Sequence, residues 1–164
     1  VLGQLFFGFM CLIWAALSNG WLKARQPAEG TGDRTITAVL VVLLVGQLIL
    51  GAMYRHMYTL EQKMPWPAHA HLTMSAIVAV VAAMAGLRAW AKYDHVPTIK
   101  RHGVIVLGLL GAQIVLGIGA LIAVLAQKGD PGVSVGVLAT AHQANGALLL
   151  GISVLLAAWV RRLT

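Results

Sequence analysis

Five apolar runs, each of about 20 residues, constrain this chain more than any other feature. They are Leu2–Leu22, Ile36–Tyr54, Ala68–Ala89, Val104–Ala126 and Val135–Val160. A hydrocarbon core of ~30 Å is crossed by a helix of that length. Lipid offers no partner to backbone N–H and C=O groups, so every crossing segment must be helical. The composition agrees: 59% of the 164 residues are hydrophobic and 10% are charged, with a mean hydropathy of +0.82. A soluble domain of this size has no interior large enough for so much apolar side chain. The expected fold is all-α, a polytopic membrane protein with five transmembrane helices and short connections.

The net charge of +7 does not point to nucleic acid, because the basic residues sort by side. Lys23, Arg25, Arg34, Arg88, Lys92, Lys100, Arg101, Arg161 and Arg162 fall at one end of the spans; Arg55, Lys63 and Lys128 fall at the other. The positive-inside rule puts the richer end, and with it the C-terminus, in the cytoplasm. The first run is not a signal peptide, since neither a basic n-region nor a small-residue cleavage site accompanies it. The single cysteine, Cys11, allows no intrachain disulfide and no thiolate cluster.

Spans two to five contain a repeat. Gln47-Leu48-Ile49-Leu50-Gly51 in span two is echoed by Gln113-Ile114-Val115-Leu116-Gly117 in span four. Each is followed by an outer loop and then by a span that opens with Ala-His, Ala70-His71 and Ala141-His142. Four residues beyond each histidine stands a small residue, Ser75 or Gly146, and each of these spans ends near a tryptophan, Trp90 or Trp159. Duplicated helix pairs are a common way to build a membrane bundle. The outer loop "RHMYTLEQKMPWP" carries interfacial aromatics and ends on Pro67, suited to a first helical turn. "QKGDPGVS" and "QPAEGTGDR" are turn clusters. Residues 36–162 are therefore one four-helix unit, and residues 1–22 read as the last helix of a preceding bundle.

The two recurring histidines lie 17 residues before Arg88 and 19 before Arg161. At 1.5 Å per residue they sit about 26 and 28 Å above those charges, at nearly one depth in the outer leaflet. Two neutral imidazoles at one level on two helices of a bundle suit axial ligation of one haem iron. His71 and His142 are the candidate iron ligands, with Ser75 and Gly146 making room for the macrocycle one turn below. Arg55 and Lys63, at the outer surface, are candidate partners for haem propionates. Copper, zinc, a proton relay or simple packing remain alternatives at these histidines. His69 is the competing ligand, although on a helix it points about 200° from His71. His56 and Glu61 read as solvated loop groups, His95 and His102 have no assigned role, and the methionines, Met74 included, read as packing.

These residues resemble the haem A synthase family. "QLILGAMYRH" and "AHQANGALLL" are similar to that family's pattern of Gln-x-x-Leu-Gly, outer loop and histidine-headed helix, twice over. The resemblance implies eight transmembrane helices in two four-helix halves, of which residues 36–162 match the C-terminal one. It implies oxidation of a methyl group of haem O, the substrate, to give haem A for terminal oxidases. It also implies a haem b between His71 and His142, an electron donor or oxidase assembly factors as partners, and a bacterial-type inner membrane. The substrate half of the family carries glutamate three residues before a ligand histidine. Ala68 and Ala139 stand there instead, and the outer-loop cysteine pair has no counterpart. Both departures fit a C-terminal half and leave the catalytic residues unassigned. The rival readings are a quinone-linked cytochrome b subunit, which commonly needs a second histidine pair at the other leaflet, and a non-enzymatic membrane assembly protein.

Overall fold

The computed structural model describes residues 1–24, 31–129 and 132–164. Arg25, most of the "QPAEGTGDR" loop, and Asp130 and Pro131 of "QKGDPGVS" lie outside the described residues. Six helices follow in order: α1 (Leu2–Ala16), α2 (Asn19–Lys23), α3 (Thr31–Met57), α4 (Trp66–Lys92), α5 (Pro97–Ala126) and α6 (Val133–Leu163). The protein is all-helical among the described residues. Helices α3 to α6, of 26 to 31 residues, are each long and apolar enough to cross a membrane. Among the described residues four helices meet the length and apolarity of a span, and the fifth expected span, Leu2–Leu22, holds the shorter apolar helix α1. The run Leu2–Leu22 breaks at Leu17–Ser18, because Ser18 is extended (φ −71°, ψ 145°) and its hydroxyl caps α2 by accepting from Trp21 N at 3.2 Å.

Helices α3, α4, α5 and α6 pack in a closed ring, each against its two chain neighbours and α3 against α6; α1 lies outside, on α6. Proline opens two of them: Pro67 sits in the first turn of α4 and Pro97 in that of α5, where a missing N–H costs nothing. The α4–α5 crossing is set by glycine. A Cβ on Gly103 would stand 2.6 Å from Ala89 Cβ and 2.8 Å from Gly86 O, so the backbones touch there, as small residues permit in membranes. Outward-facing side chains are apolar: Val42, Val80, Val115 and Ile122 are each at least 60% exposed. In water that surface would be a liability, and it is the surface a lipid bilayer covers. The protein is an integral membrane protein by this measure.

The core is densest towards the charged end. Leu40, Ala82, Ile99, Val106 and Leu156 are completely buried there. Asp33, at the first turn of α3, is 3% exposed. It accepts from Arg88 Nε at 2.6 Å, Lys92 Nζ at 2.7 Å and Tyr93 OH at 2.6 Å. A buried carboxylate is tolerable only with such partners. This clamp between α3 and α4 carries no signal in the apolar pattern, and sequence reading missed it. Towards the other end the packing loosens. On α5 the buried residues are Ile99, Gly103, Val106 and Leu110, and none follows to Ala126.

Candidate functional site

The loosely packed half holds the histidines. His71 is in the second turn of α4 and His142 in the third of α6. Their ring centroids lie 6.4 Å apart with planes at 77°, so the two rings meet inside the bundle.

Each ring rests on a glycine of the preceding helix. A Cβ on Gly51 would stand 3.1 Å from His71 Cε1, and one on Gly117 would stand 2.9 Å from His142 Cε1. Only a residue without a side chain lets the Cε1–Nδ1 edge of the ring come so close to the helix. One turn earlier comes the glutamine of the repeat. Gln47 Nε2 lies 3.3 Å from His71 Nε2, and Gln113 Nε2 lies 3.3 Å from His142 Nε2. The Gln-x-x-x-Gly repeat is therefore a cradle: glutamine at Nε2 of the imidazole, glycine against its Cε1–Nδ1 edge. The repeat was legible in the sequence, but its glycines had no assigned role there. Gly51 and Gly117 are the site residues that sequence reasoning missed. The Nδ1 atoms of both histidines are buried and have no hydrogen-bond partner.

The remaining candidates fall into place around this pair. Gly146 does lie beside the site, but a Cβ there would meet Gln113 Nε2 at 3.3 Å; its room is used by that carboxamide. Ser75 donates to Leu72 O at 2.7 Å within its own helix. Arg55 is exposed and donates through Nη1 to Gln143 Oε1 at 3.1 Å, which puts it on the outer rim, one residue from His142. Lys63 departs from expectation. Its ammonium donates to Leu125 O at 3.1 Å and to Gln127 O, so it caps the C-terminus of α5, where carbonyls lack partners. His69 is exposed, with its side chain turned from His71, and His56 and Glu61 are exposed as well. Met74 packs against the core, and its Cε lies 3.7 Å from where a Cβ on Gly46 would be. His102 Nδ1 pairs with Thr98 O at 2.6 Å near the charged end.

What the arrangement can hold follows from its donors. Two imidazoles on one metal ion, with bonds of about 2 Å and each ring centre about 1.2 Å behind its nitrogen, have centroids about 6 Å apart. The observed 6.4 Å meets that distance, and imidazole is a haem-iron ligand. The glycines leave room for the Cε1–Nδ1 edge of each ring, and from Gly111 to Ala126 α5 buries no residue. Two imidazoles at that separation supply the donor types of a bis-histidine metal site. Comparison with family models, curated proteins and solved structures returned no match.

Proposed function

We propose that this protein binds one haem b through His71 and His142 and acts as a haem A synthase-like oxidoreductase of haem biosynthesis. The reaction it serves is oxidation of a haem O methyl group to give haem A for terminal oxidases. The observation that carries the haem reading is the 6.4 Å separation of two imidazoles, each supported by the same glutamine and glycine from a duplicated helix pair. The resemblance in sequence carries the reaction.

In this reading α3–α6 form a pseudo-symmetric four-helix haem-binding half, with the histidine end facing the outer side of an inner membrane and the C-terminus cytoplasmic. The haem supplies one-electron chemistry at its iron. The chain supplies the rest. His71 and His142 would hold the iron, and Gly51 and Gly117 fix the positions of their rings. Lipid-facing helices keep bulk water from the site. Arg55, on the rim, is the basic group placed to meet a propionate. His102, near the charged end, is bonded within its own helix; a second histidine pair of the kind a two-haem quinone cytochrome needs is not formed among the described residues.

The test is an absorbance spectrum of protein purified from a haem-replete host. A low-spin b-type spectrum that His71→Ala and His142→Ala each abolish is expected. Absence of haem, or retention of the spectrum in both variants, refutes the site and favours a non-enzymatic assembly protein. Haem extracted from cells that express the full-length gene then tests the reaction. Haem A made from haem O is expected, and haem b alone would favour an electron-transfer subunit.

A further inference from the structure

The two imidazoles are held unequally. Leu109 O can only accept, so the Asn145 atom facing it at 3.0 Å is Nδ2, and the same nitrogen donates to Gln113 Oε1 at 2.7 Å. Gln113 is left with only its N–H to offer His142, 3.3 Å away. His142 Nε2 must therefore carry the lone pair and Nδ1 the proton. Gly146 lets the carboxamide lie there, with no Cβ in its way. The other copy lacks this chain. Met74 replaces Asn145, three residues past the histidine, and Gln47 Oε1 is buried without a partner. Gln47 Nε2 also donates to the His71 carbonyl at 3.0 Å, so it keeps a bond when it leaves the imidazole. Gln113 Nε2 makes no second bond among the described residues.

We propose that Gln113, anchored by Asn145, is a positioning residue that competes with the metal for the His142 Nε2 lone pair and makes His142 the exchangeable axial ligand. The inference rests on the haem reading above. One lone pair serves either the carboxamide N–H or the iron. Freeing it at His142 leaves a part-buried donor without its partner; freeing it at His71 does not. The loss of one such bond is worth up to about a tenfold change in occupancy.

The test is a carbon monoxide titration of the haem-loaded, reduced protein, in which the gas takes the position of whichever histidine lets go. Gln113→Leu removes the competitor, strengthens His142 and lowers carbon monoxide affinity about tenfold. Gln47→Leu leaves it within about twofold. Asn145→Leu frees the Gln113 anchor without touching either side chain of the pair and lowers the affinity to an intermediate value. It carries the comparison if Gln113→Leu does not accumulate. In ¹⁵N-histidine spectra of protein from a haem-deficient host, His142 shows the Nδ1–H tautomer, and both tautomers appear in Gln113→Leu. Equal or larger effects from Gln47→Leu, or an Nε2–H tautomer at His142 in the wild type, overturn the assignment. A wild type that takes up no haem overturns the haem reading itself. Haem uptake with identical responses in both glutamine variants overturns the role of Gln113 alone.

Discussion

Three glycine-to-alanine changes along α5 separate the site from the scaffold. Each gains about 1 kcal/mol of helix propensity, so differences among them report only what the new methyl meets. At Gly111 nothing lies within 4 Å, and the gain is uncontested. At Gly117 the methyl would stand 2.9 Å from His142 Cε1 and 3.3 Å from its Nδ1, where ordinary contact begins at 3.4 Å. The ring must retreat by about half an ångström, and Gln113 backs its edge. Overpacking of this kind costs about 1–3 kcal/mol. A central value of about 2 kcal/mol is roughly 30-fold in an equilibrium constant. At Gly103 the methyl meets Ala89 Cβ at 2.6 Å and Gly86 O at 2.8 Å, and backbone cannot step aside. The assay is haem titration into each detergent-solubilised variant, alongside thermal unfolding. Gly111→Ala is expected to match wild type in affinity and to melt at the same or higher temperature. Gly117→Ala is expected to stay folded and bind haem about 30-fold more weakly, and Gly103→Ala to lose stability outright. If Gly117→Ala takes up haem as well as Gly111→Ala does, the glycine cradle has no functional meaning.

The charged end offers further tests. Asp33→Asn keeps the shape but removes the charge facing Arg88 and Lys92, whose side chains are about half exposed; a loss of roughly 2 kcal/mol in thermal unfolding is expected, with haem affinity unchanged. Burial, with Asp33 beside it, pushes the Tyr93 phenol above its ordinary value of 10.0. The folded state then holds that proton where the unfolded state releases it. The contribution is complete below about pH 10 and declines as pH rises beyond it. Melting temperatures from pH 8 to 11 should fall more steeply in the wild type than in Tyr93→Phe, and parallel curves would count against the clamp. Lys63→Met removes the cap on α5 and should lower stability by about 1 kcal/mol while leaving haem affinity unaltered. A drop in affinity would restore Lys63 as a propionate partner.

Much of the helical plan was legible because the bilayer is a strict solvent: it demands long apolar runs and closed backbone hydrogen bonding. Four of the five runs became helices that extend a few residues past the predicted ends, since polar residues such as Asp33, Arg88 and Lys92 continue a helix once they pair with one another. The first run is divided at Ser18, whose hydroxyl caps α2, a local competition that hydropathy averages away. The histidine pairing was legible because the repeat put His71 and His142 at one depth. The role of Lys63 was not, because its partners, carbonyls of α5, lie more than 60 residues away in sequence.

The amino-acid order by itself determined the solvent, the positions of four long helices, the duplicated Gln–Gly–His pattern and the matched depth of two imidazoles, all of which are periodicities along one chain. Tertiary structure alone decided that the rings meet at 6.4 Å, that glycine lies against each, and that only Gln113 is anchored by an asparagine. Those facts depend on which faces of separate helices turn towards one another, and small-residue contacts such as Gly86 against Gly103 set that rotation.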